Sequence, residues 1–398
     1  MSDIFDRTRA AFDLPPGLIY LDGNSLGAMP RAVRARLAHE MDHAWSQRLI
    51  RSWNEAGWWQ MPGAIGNQIA PLVGAAPGSV VVGDSTSVNV FKVLTAALAM
   101  AGKRRVILSD TGNFPTDLYV AQGVARTLGQ GHQLKLVAPE AVSGAIDDSI
   151  AVLMLTQVDY KTGRLHDMAA LTRQARAAGA VAIWDLAHSA GAFPVHLAEC
   201  GVDFAIGCGY KYLNGGPGAP AFVYVRPDLA DSVEPAISGW WGHDAPFAFD
   251  LGYRPAHGID RMRIGTAPIL SMAALHTAMQ LWDGIDMQAV RARSIVLTQR
   301  FICEIEARCP ELKLASPRDP QQRGSQVSFH FAHGDAAMQA LISLDVIGDF
   351  RAPDIMRFGF TPLYVSEADV VVAAERLEKV MRGRMWERAE FAGKRAVT

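Results

Sequence analysis

Cysteine is scarce in this 398-residue sequence, and neither charge sign forms a long run. The cysteines contain no C-x-x-C pair and no grouping with histidine at zinc-ligand spacing, so neither a disulfide framework nor a metal site is predicted. The formal net charge is −2, so neither nucleic acid nor an anionic membrane is an expected partner. The four cysteines are Cys200, Cys208, Cys303 and Cys309.

Long apolar segments and several common motifs are also absent. No run of about 18 apolar residues is free of charged residues, glycine and proline, so no membrane span is expected. The first residues lack the basic and then apolar order of a signal peptide, and together with the lack of disulfides this predicts a cytoplasmic protein. The sequence has no G-x-G-x-x-G after the first strand, no Walker loop, no H-E-x-x-H and no G-x-S-x-G elbow.

Short apolar runs alternate with helical patterns through the middle of the chain. This alternation indicates strands of a mostly parallel sheet, buried on both faces and joined by helices. A helical region, one further strand and a last helix at 366–382 indicate a smaller α+β unit. We therefore predict an α/β protein with a large domain at 56–280 and a small domain built from 1–55 and 281–398. The apolar runs are SVVVG, RVILSD, IAVLMLTQVD, AVAIWD, VDFAIGCG and APAFVYV, and the later strand is QVSFHF.

Polar residues follow several of these runs, at the positions where the strands end. Asp185 closes AVAIW, Thr156 closes IAVLML, and Lys211 follows VDFAIGCGY. Thr86 and Ser87 follow SVVVGD at a helix start. Because ligands of open α/β sheets bind outside the carboxyl ends of the strands, the recurrence predicts a site at this edge.

Each of these residues also has an ordinary structural explanation. A strand-end lysine such as Lys211 commonly reaches water, Asp185 suits a turn, and Thr86 and Ser87 suit a helix N-cap region. Their combination favours a cofactor. Apolar surroundings favour the neutral amine that a Schiff base requires, a carboxylate keeps a pyridine nitrogen protonated, and a helix N-terminus binds phosphate. Pyridoxal 5′-phosphate (PLP) requires these three functions.

Eight segments of the chain resemble the kynureninase family, in the order that family has them. The resemblance runs from about residue 18 to about residue 370, and GNSLG with GWWGH is its most specific part. It implies fold type I of the PLP-dependent transferases, with a mostly parallel seven-stranded sheet, and a homodimer with active sites at the subunit interface. The segments are IYLDGNSLGAMP, VVGDSTSVNVFK, NFPTDLYVAQG, WDLAHSAGAFPVHL, GCGYKYLNGGPGAPAF, GWWGH, RIGTAPI and RFGFTPLYVS.

The resemblance implies a role in cofactor binding for each matched residue. Lys211 would form the Schiff base, and Asp185 would pair with the pyridinium nitrogen. Thr86 and Ser87 would hold the phosphate, and Phe114 would stack on the ring. The other implied cofactor contacts are Asp117, Thr156, His188 and Tyr210, with Trp240 and Thr266 delivered by the partner subunit.

The same resemblance implies the reaction, which is hydrolysis of L-kynurenine to anthranilate and L-alanine in tryptophan catabolism. Arg357 would bind the substrate α-carboxylate with a bidentate fork, and Ser25 would lie near the substrate. The reaction needs Lys211 for the α-proton and a general acid–base group near the γ-carbonyl. Tyr210 is our candidate for that second group, because it neighbours the lysine.

Two features of the sequence suggest which kynurenine is preferred. Members that favour the 3-hydroxylated substrate resemble one another in a Ser-Asn pair where this chain has Gly265 and Thr266. Trp53 resembles an aromatic replacement for a more polar group in the aryl pocket. Because an aromatic wall offers no partner to a 3-hydroxyl group, we predict that 3-hydroxykynurenine is the poorer substrate.

Three alternatives remain open at this point. A cysteine desulfurase on the same fold would need a nucleophilic loop cysteine. A non-catalytic PLP-binding protein would keep Lys211 and Asp185 but need not keep Arg357, Ser25 or Tyr210. A structural α/β protein would bind no cofactor.

Overall fold

The computed structural model describes residues 4–391 and residue 393. Its helices are α1 (Ile4–Ala10), α2 (Arg31–His39), a π-helix (Glu40–Arg48), α3 (Ser52–Glu55), α4 (Met61–Ile69), α5 (Thr86–Met100), α6 (Pro115–Leu128), α7 (Val142–Ala145), α8 (Met168–Ala177), α9 (Ile269–Met279), α10 (Met287–Arg308), α11 (Gly334–Ile342) and α12 (Glu367–Arg382). Its strands are β1 (Ile19–Tyr20), β2 (Val80–Val82), β3 (Val106–Asp110), β4 (Gln133–Val137), β5 (Ile150–Thr156), β6 (Val181–Asp185), β7 (Phe204–Cys208), β8 (Ala221–Val225), β9 (Lys313–Leu314), β10 (Gln326–His330), β11 (Val346–Ile347), β12 (Asp349–Arg351) and β13 (Ile355–Gly359).

A seven-stranded sheet with the order β2-β8-β7-β6-β5-β3-β4 forms the centre of the molecule. β8 is antiparallel to both of its neighbours, and the other pairs are parallel. The predicted α/β fold with a mostly parallel seven-stranded sheet is thereby confirmed. The sequence runs given above contain six of these strands. β4 was missed because it lies at the sheet edge, where its residues are exposed or half-buried and form no apolar run.

Both faces of this sheet are covered, which explains why its inner strands are apolar throughout. Along β5, Val152 and Met154 pack on the side of α5, whereas Leu153 and Leu155 pack on the side of α8 and α9. Alternate residues of a strand point to opposite faces, so a strand covered on both sides has no position for a solvated side chain. Polar residues are therefore displaced to the strand ends, where the cavity described below lies.

A second, smaller sheet has the order β12-β13-β10-β9 and is antiparallel throughout. Its helices α10, α11 and α12 come from the same late part of the chain. The N-terminal region joins this unit, because β1 pairs in parallel with β11. Residues 1–3, 392 and 394–398 of the small domain predicted from the sequence lie outside the described residues. Within the described part of the chain, no helix is long and apolar enough to span a bilayer.

Candidate active site

A cavity of about 240 Å³ lies at the carboxyl ends of the central strands. Thr156 ends β5 and Asp185 ends β6, and the two residues are direct partners in the sheet register. Lys211 lies three residues beyond the end of β7. The chain therefore brings these three strand-end residues together as the sequence predicts. The cavity is lined by Thr86, Ser87, Phe114, Thr116, Asp117, Thr156, Tyr160, Asp185, Ala187, His188, Tyr210 and Lys211.

Lys211 is held by a histidine whose proton position follows from its other neighbour. The Nζ atom of Lys211 lies 3.0 Å from Nε2 of His188, and Nδ1 of His188 lies 3.1 Å from Oε1 of Gln326. Because Oε1 can only accept, Nδ1 carries the proton and Nε2 accepts from the lysine. Burial, with the nearby charges of Lys211 and Arg357, holds the pKa of His188 well below its usual value. His188 is therefore a neutral acceptor that orients the amine.

Two buried carboxyl groups, those of Asp185 and Asp117, share one negative charge. Burial raises the pKa of Asp185, against the lowering effects of the Lys211 charge and of the Ala187 N–H, which donates at 2.7 Å. Burial and the neighbouring Asp185 carboxylate raise the pKa of Asp117 well above its ordinary value. Two buried carboxyl groups that are hydrogen-bonded to each other do not both ionise. The proton therefore stays on Asp117, which donates to Asp185, and Asp185 carries the charge.

The N-terminus of α5 forms one end of the cavity. Ser85 is its N-cap and accepts from the Val88 N–H at 3.4 Å, so Thr86 and Ser87 occupy the first turn with main-chain N–H groups that the helix does not use. Asp84, just before the cap, has a φ of 56°, and its carboxylate pairs with the buried Lys92 at 2.9 Å. Hydroxyl groups and free N–H groups at a helix start are suited to a phosphate group.

Phe114 supplies an aromatic wall at the start of α6. Its ring is 42% exposed, and it packs edge-on against Tyr160 with 5.2 Å between centroids. The Nζ atom of Lys211 lies 6.0 Å from the centre of the Phe114 ring. Behind this wall, Thr156 donates to the side-chain oxygen of Asn113, which fixes the loop between β3 and α6. The ring is therefore free to stack on a planar ligand in front of the lysine.

The GNSLG segment lies against the lysine-bearing turn, and only glycine fits at one of its positions. The Gly27 N–H donates to the Tyr210 carbonyl at 2.7 Å. A Cβ at Gly27 would lie 2.3 Å from the Lys211 carbonyl oxygen and 2.7 Å from Cα of Asn214. This close approach brings Ser25 to the same side of the molecule as the cavity.

Arg357, the predicted carboxylate ligand, is buried and already paired. It lies on β13 opposite Asp349 of β12, and its Nε atom donates to Oδ1 of Asp349 at 2.7 Å while Nη2 donates to Oδ2. Nη2 also donates to Oγ of Ser25 at 2.8 Å, and Nη1 donates to the Tyr160 carbonyl at 2.6 Å. The bidentate face of the guanidinium group therefore binds a carboxylate of the protein itself.

Tyr210 lines the cavity next to the lysine, with its ring 5.8 Å from Lys211 Nζ. Burial, together with the neighbouring Cys208 and Asp185, raises the pKa of the Tyr210 phenol. The hydroxyl group therefore stays protonated at neutral pH and is available as a proton donor.

Trp53, Trp240 and Thr266 do not line this cavity within one chain. Trp53 packs edge-on against Trp240 at 6.4 Å and against Trp241 at 5.4 Å, so it belongs to a separate aromatic cluster. Trp240 is 39% exposed and Thr266 is exposed. The predicted delivery of Trp240 and Thr266 by a partner subunit stays a prediction.

Several cavity neighbours were missed from the sequence. Asn113 and Tyr160 lie beside residues that were predicted from the sequence. In the segment NFPTD, the sequence indicated Phe114 but gave no sign of a role for Asn113. Gln326, Asp349 and Arg351 come from the small sheet, more than 100 residues after Lys211. A pair of charged residues in the short strand GDFR, close to RFGFTPLY, was the available signal for the last two.

None of the four cysteines is among the residues that line the cavity. Cys208 and Cys309 are buried, and burial raises the pKa of both thiols. Burial also raises the pKa of the half-buried Cys200, and the exposed Cys303 lies on α10. None has the electropositive loop setting of a nucleophilic thiolate.

These features fit PLP. A lysine amine lies near an aromatic ring, a charged carboxylate lines the same cavity, and a helix N-terminus can hold a phosphate. The chain superposes on the cysteine desulfurase of Thermococcus onnurineus NA1 with a TM-score of 0.81 and 20% identity, covering 96% of this chain and 99% of that one. It superposes on the enzyme C-DES, solved with glycine covalently linked to its PLP cofactor, with a TM-score of 0.78 and 17% identity, covering 93% and 98% of the two chains. The chain therefore has the fold of the type I PLP-dependent enzymes.

Comparison with known sequences identifies a family within the fold type I enzymes. The family model of the kynureninase C-terminal domain matches residues 290–377. The kynureninase of Pseudomonas fluorescens is 51% identical over 397 residues, which cover 98% of this chain and 95% of that relative. The chain belongs to the kynureninase family.

Proposed function

We propose that this chain is a PLP-dependent hydrolase that cleaves the Cβ–Cγ bond of L-kynurenine to give anthranilate and L-alanine. The observation that carries the proposal is the convergence of Lys211, the charged Asp185 and the N-terminus of α5 on one cavity. Membership of the kynureninase family supplies the substrate class. Tryptophan catabolism by the kynurenine pathway, which also supplies NAD biosynthesis, is the metabolic setting that this reaction fits.

PLP would be held by the residues already described. Lys211 would bind it covalently through Nζ, and Asp185 would pair with the pyridinium nitrogen. Thr86 and Ser87 would bind its phosphate, and Phe114 would cover one face of the ring. When bound, PLP supplies an electron sink for the bonds at the α- and β-carbons of the substrate.

Lys211 is suited to proton transfer at the α-carbon once the substrate amine has replaced it. His188 accepts a hydrogen bond from Nζ, so the amine presents its lone pair away from the imidazole ring. Removal of the α-proton by this lone pair is general-base catalysis at a held position. Asp185 would stabilise the positive charge of the pyridinium nitrogen of PLP, because its partner Asp117 keeps the shared proton.

Tyr210 is suited to the γ-carbonyl step. Water adds to the carbonyl carbon, the Cβ–Cγ bond breaks, and the aryl part leaves as anthranilate with the oxygen of that water. Because its pKa is raised, the phenol begins as the acid that donates to the carbonyl oxygen. The β-carbon then receives a proton, and the three-carbon part becomes alanine.

Replacement of Tyr210 by Phe is expected to lower kcat by about 100-fold or more, the range of a lost general acid. The ring packing beside Lys211 is kept, so PLP affinity should change by less than threefold. Steady-state kinetics and PLP titration of the same preparation check the two values. Unchanged turnover would exclude this role for Tyr210.

L-Kynurenine is the proposed better substrate, and 3-hydroxykynurenine the poorer one. Trp53 lies in an apolar aromatic cluster with Trp240 and Trp241, which supports an aryl pocket without a partner for a hydroxyl group. We infer that Trp240 and Thr266 reach the site of the partner subunit in a homodimer. A higher kcat/KM for 3-hydroxykynurenine would contradict the preference.

We also propose the division into a large domain at 56–280 and a small domain at 1–55 and 281–398. The pairing of β1 with β11 supports a small domain made from both chain ends. The four unpaired cysteines of the whole chain agree with a reducing compartment such as the cytoplasm.

The absorption spectrum of the purified protein, before and after L-kynurenine, tests the proposed function when anthranilate fluorescence is followed in the same cuvette. We expect an absorption band beyond the aromatic region and the appearance of anthranilate. The Lys211→Ala variant is the control, and it should produce no anthranilate. A wild-type band without anthranilate would leave PLP binding standing and contradict the reaction, and sulfide release from cysteine would identify a desulfurase.

A further inference from the structure

The cluster around Asp349 in the small sheet contains two arginines, which share this one carboxylate. Arg357 has its bidentate face on Asp349, and both side chains are 2% exposed. A second arginine, Arg351, lies two residues beyond Asp349 on the same strand. Asp22 is the other carboxyl of this cluster, and burial together with Asp349 raises its pKa to about 7. Below about pH 7 the two arginines therefore face a single ionised carboxylate, that of Asp349, and the cluster carries an excess positive charge.

Arg351 is placed to present this charge to a ligand. Its side chain is 38% exposed, whereas that of Arg357 is buried. One of its nitrogens, Nη2, donates to Oδ2 of Asp349 at 2.6 Å and lies 3.3 Å from Oγ of Ser25. Its Nε atom is buried and has no hydrogen-bond partner among the described residues. Burying an N–H without an acceptor is unfavourable, so this donor indicates a missing acceptor.

The position of Arg351 also connects it to the cavity. Ser25 accepts from both arginines, and Arg357 donates to the carbonyl of Tyr160, which lines the cavity. The positive charge of Arg351 contributes to the low pKa of His188, the residue that holds Lys211. A negatively charged group at Arg351 would therefore lie at the edge of the same site as the lysine.

We propose that Arg351 binds the α-carboxylate of the amino-acid substrate together with Arg357, and that it supplies the positive charge which this carboxylate neutralises. The inference rests on the proposed function and deepens it. Arg357 is fixed by Asp349 and contributes its one remaining Nη1 hydrogen, and Arg351 contributes the part of its half-exposed guanidinium group that Asp349 does not engage. Asp349 then keeps two arginines close together that would otherwise repel each other.

The decisive variant is Arg351→Gln in the PLP-loaded enzyme, with binding measured by calorimetry. The probes are L-alanine and ethylamine, which differ by the carboxylate. We expect the affinity for L-alanine to fall at least 10-fold, with the affinity for ethylamine unchanged. The KM for L-kynurenine should rise by a similar factor with kcat within threefold, and Arg351→Lys should restore part of the affinity. Arg382→Gln removes a charge from the exposed end of α12 and should change nothing.

A double-mutant cycle with Asp349→Asn distinguishes two roles of Arg351, namely direct contact with the ligand and an indirect effect through the position of Asp349. If Arg351 contacts the ligand, Arg351→Gln still weakens L-alanine binding in the Asp349→Asn background. Loss of the effect there, equal losses for L-alanine and ethylamine, or unchanged L-alanine affinity would each overturn the proposal. Absence of anthranilate with the wild type would contradict the proposed function alone, because the comparison of the two probes does not depend on turnover.

Discussion

At the scale of single residues, the shared proton of Asp117 and Asp185 divides two similar carboxyl groups into two tasks. Asp117 is neutral in the folded chain, because burial and Asp185 raise its pKa, and it only donates a hydrogen bond. An amide can do the same. Asp185 carries the charge that a pyridinium nitrogen requires.

Replacement of Asp117 by Asn is therefore expected to keep PLP affinity and kcat within about fivefold, because the amide N–H replaces the carboxyl O–H. Replacement of Asp185 by Asn should lower kcat on the order of 100-fold, since a charge at the reacting ring is lost. Stopped-flow kinetics and PLP titration of both variants check the contrast. Equal losses in the two variants would show that both carboxyl groups are ionised.

Asp22 gives the site a dependence on pH near neutrality. Its folded pKa of about 7 lies above the ordinary value of 3.8, so the folded chain binds a proton between these values that the unfolded chain has lost. The free energy of unfolding therefore falls as the pH rises from about 4 to 7, by at most about 4 kcal/mol. The groups that contribute to its titration are Asp349, Ser25, Arg351 and Arg357, together with the nearby phenols Tyr20, Tyr212 and Tyr364.

We expect the KM for L-kynurenine to rise above pH 7, because an ionised Asp22 repels the substrate carboxylate. In the Asp22→Asn variant this rise should be absent, and thermal stability should decrease less between pH 5 and pH 8 than in the wild type. A pH series of KM and Tm for the two proteins measures both. Parallel pH profiles would show that Asp22 does not titrate in this range.

At the scale of elements, Lys92 connects two segments that are distant in the chain. From the middle of α5 its Nζ atom donates to Asp84, in the turn before the helix, and to the Met262 carbonyl at 2.7 Å. Burial lowers the pKa of Lys92, and Asp84 opposes that effect. The pair holds the turn that leads to Thr86 and Ser87.

Replacement of Lys92 by Met should lower the free energy of unfolding by about 2 kcal/mol. This is less than for a fully buried pair, because Asp84 is partly exposed and water replaces part of the interaction. PLP affinity should fall about 10-fold as the turn loosens. Urea unfolding and PLP titration measure the two effects, and the double variant Lys92→Met, Asp84→Asn should recover part of the stability. A Lys92→Met variant as stable as the wild type would contradict this account.

The burial of each strand explains how much of the fold and of the candidate site could be predicted from the sequence. Strands β5 to β8 were evident because burial on both faces removes every polar residue from their interiors, and Asp185 and Lys211 were conspicuous at their ends. β4 gave no such pattern at the sheet edge. Gln326 and Arg351 lie on strands of the other sheet, and no local pattern indicates which distant cavity a strand will face. The pairing of Arg357 with Asp349 could not be predicted, because it depends on the register between β12 and β13.

At the scale of the whole molecule, the aromatic cluster around Trp240 continues into exposed apolar residues. Phe247, Phe249 and Leu251 are 67%, 81% and 106% exposed, and the ring of Trp59 contacts those of both Trp240 and Phe247. An apolar surface of this kind marks an interaction site. The proposed homodimer would cover it and carry Trp240 to the partner's cavity.

Mixed dimers test this arrangement. Lys211→Ala and Trp240→Ala chains should each be nearly inactive as homodimers, whereas their mixed dimer has one site with both native residues. Refolding the two variants together at equal amounts should restore about a quarter of wild-type activity, since half of the dimers are mixed. Anthranilate fluorescence measures the activity of the refolded mixture and of the separate variants. Failure of the mixture to exceed the separate variants would place Trp240 in the site of its own chain or outside it.

The pairing of β1 with β11 has a consequence for synthesis of the protein on the ribosome. The segment that carries Ser25 and Gly27 emerges early, but its strand partner Val346–Ile347 is translated more than three hundred residues later. Until then Arg357 has not been made, and Ser25 has neither of its arginine donors. The substrate side of the cavity is thus completed only when Arg351 and Arg357 have been translated, so chains that contain Lys211 but terminate before Arg351 would still be unable to bind an amino acid.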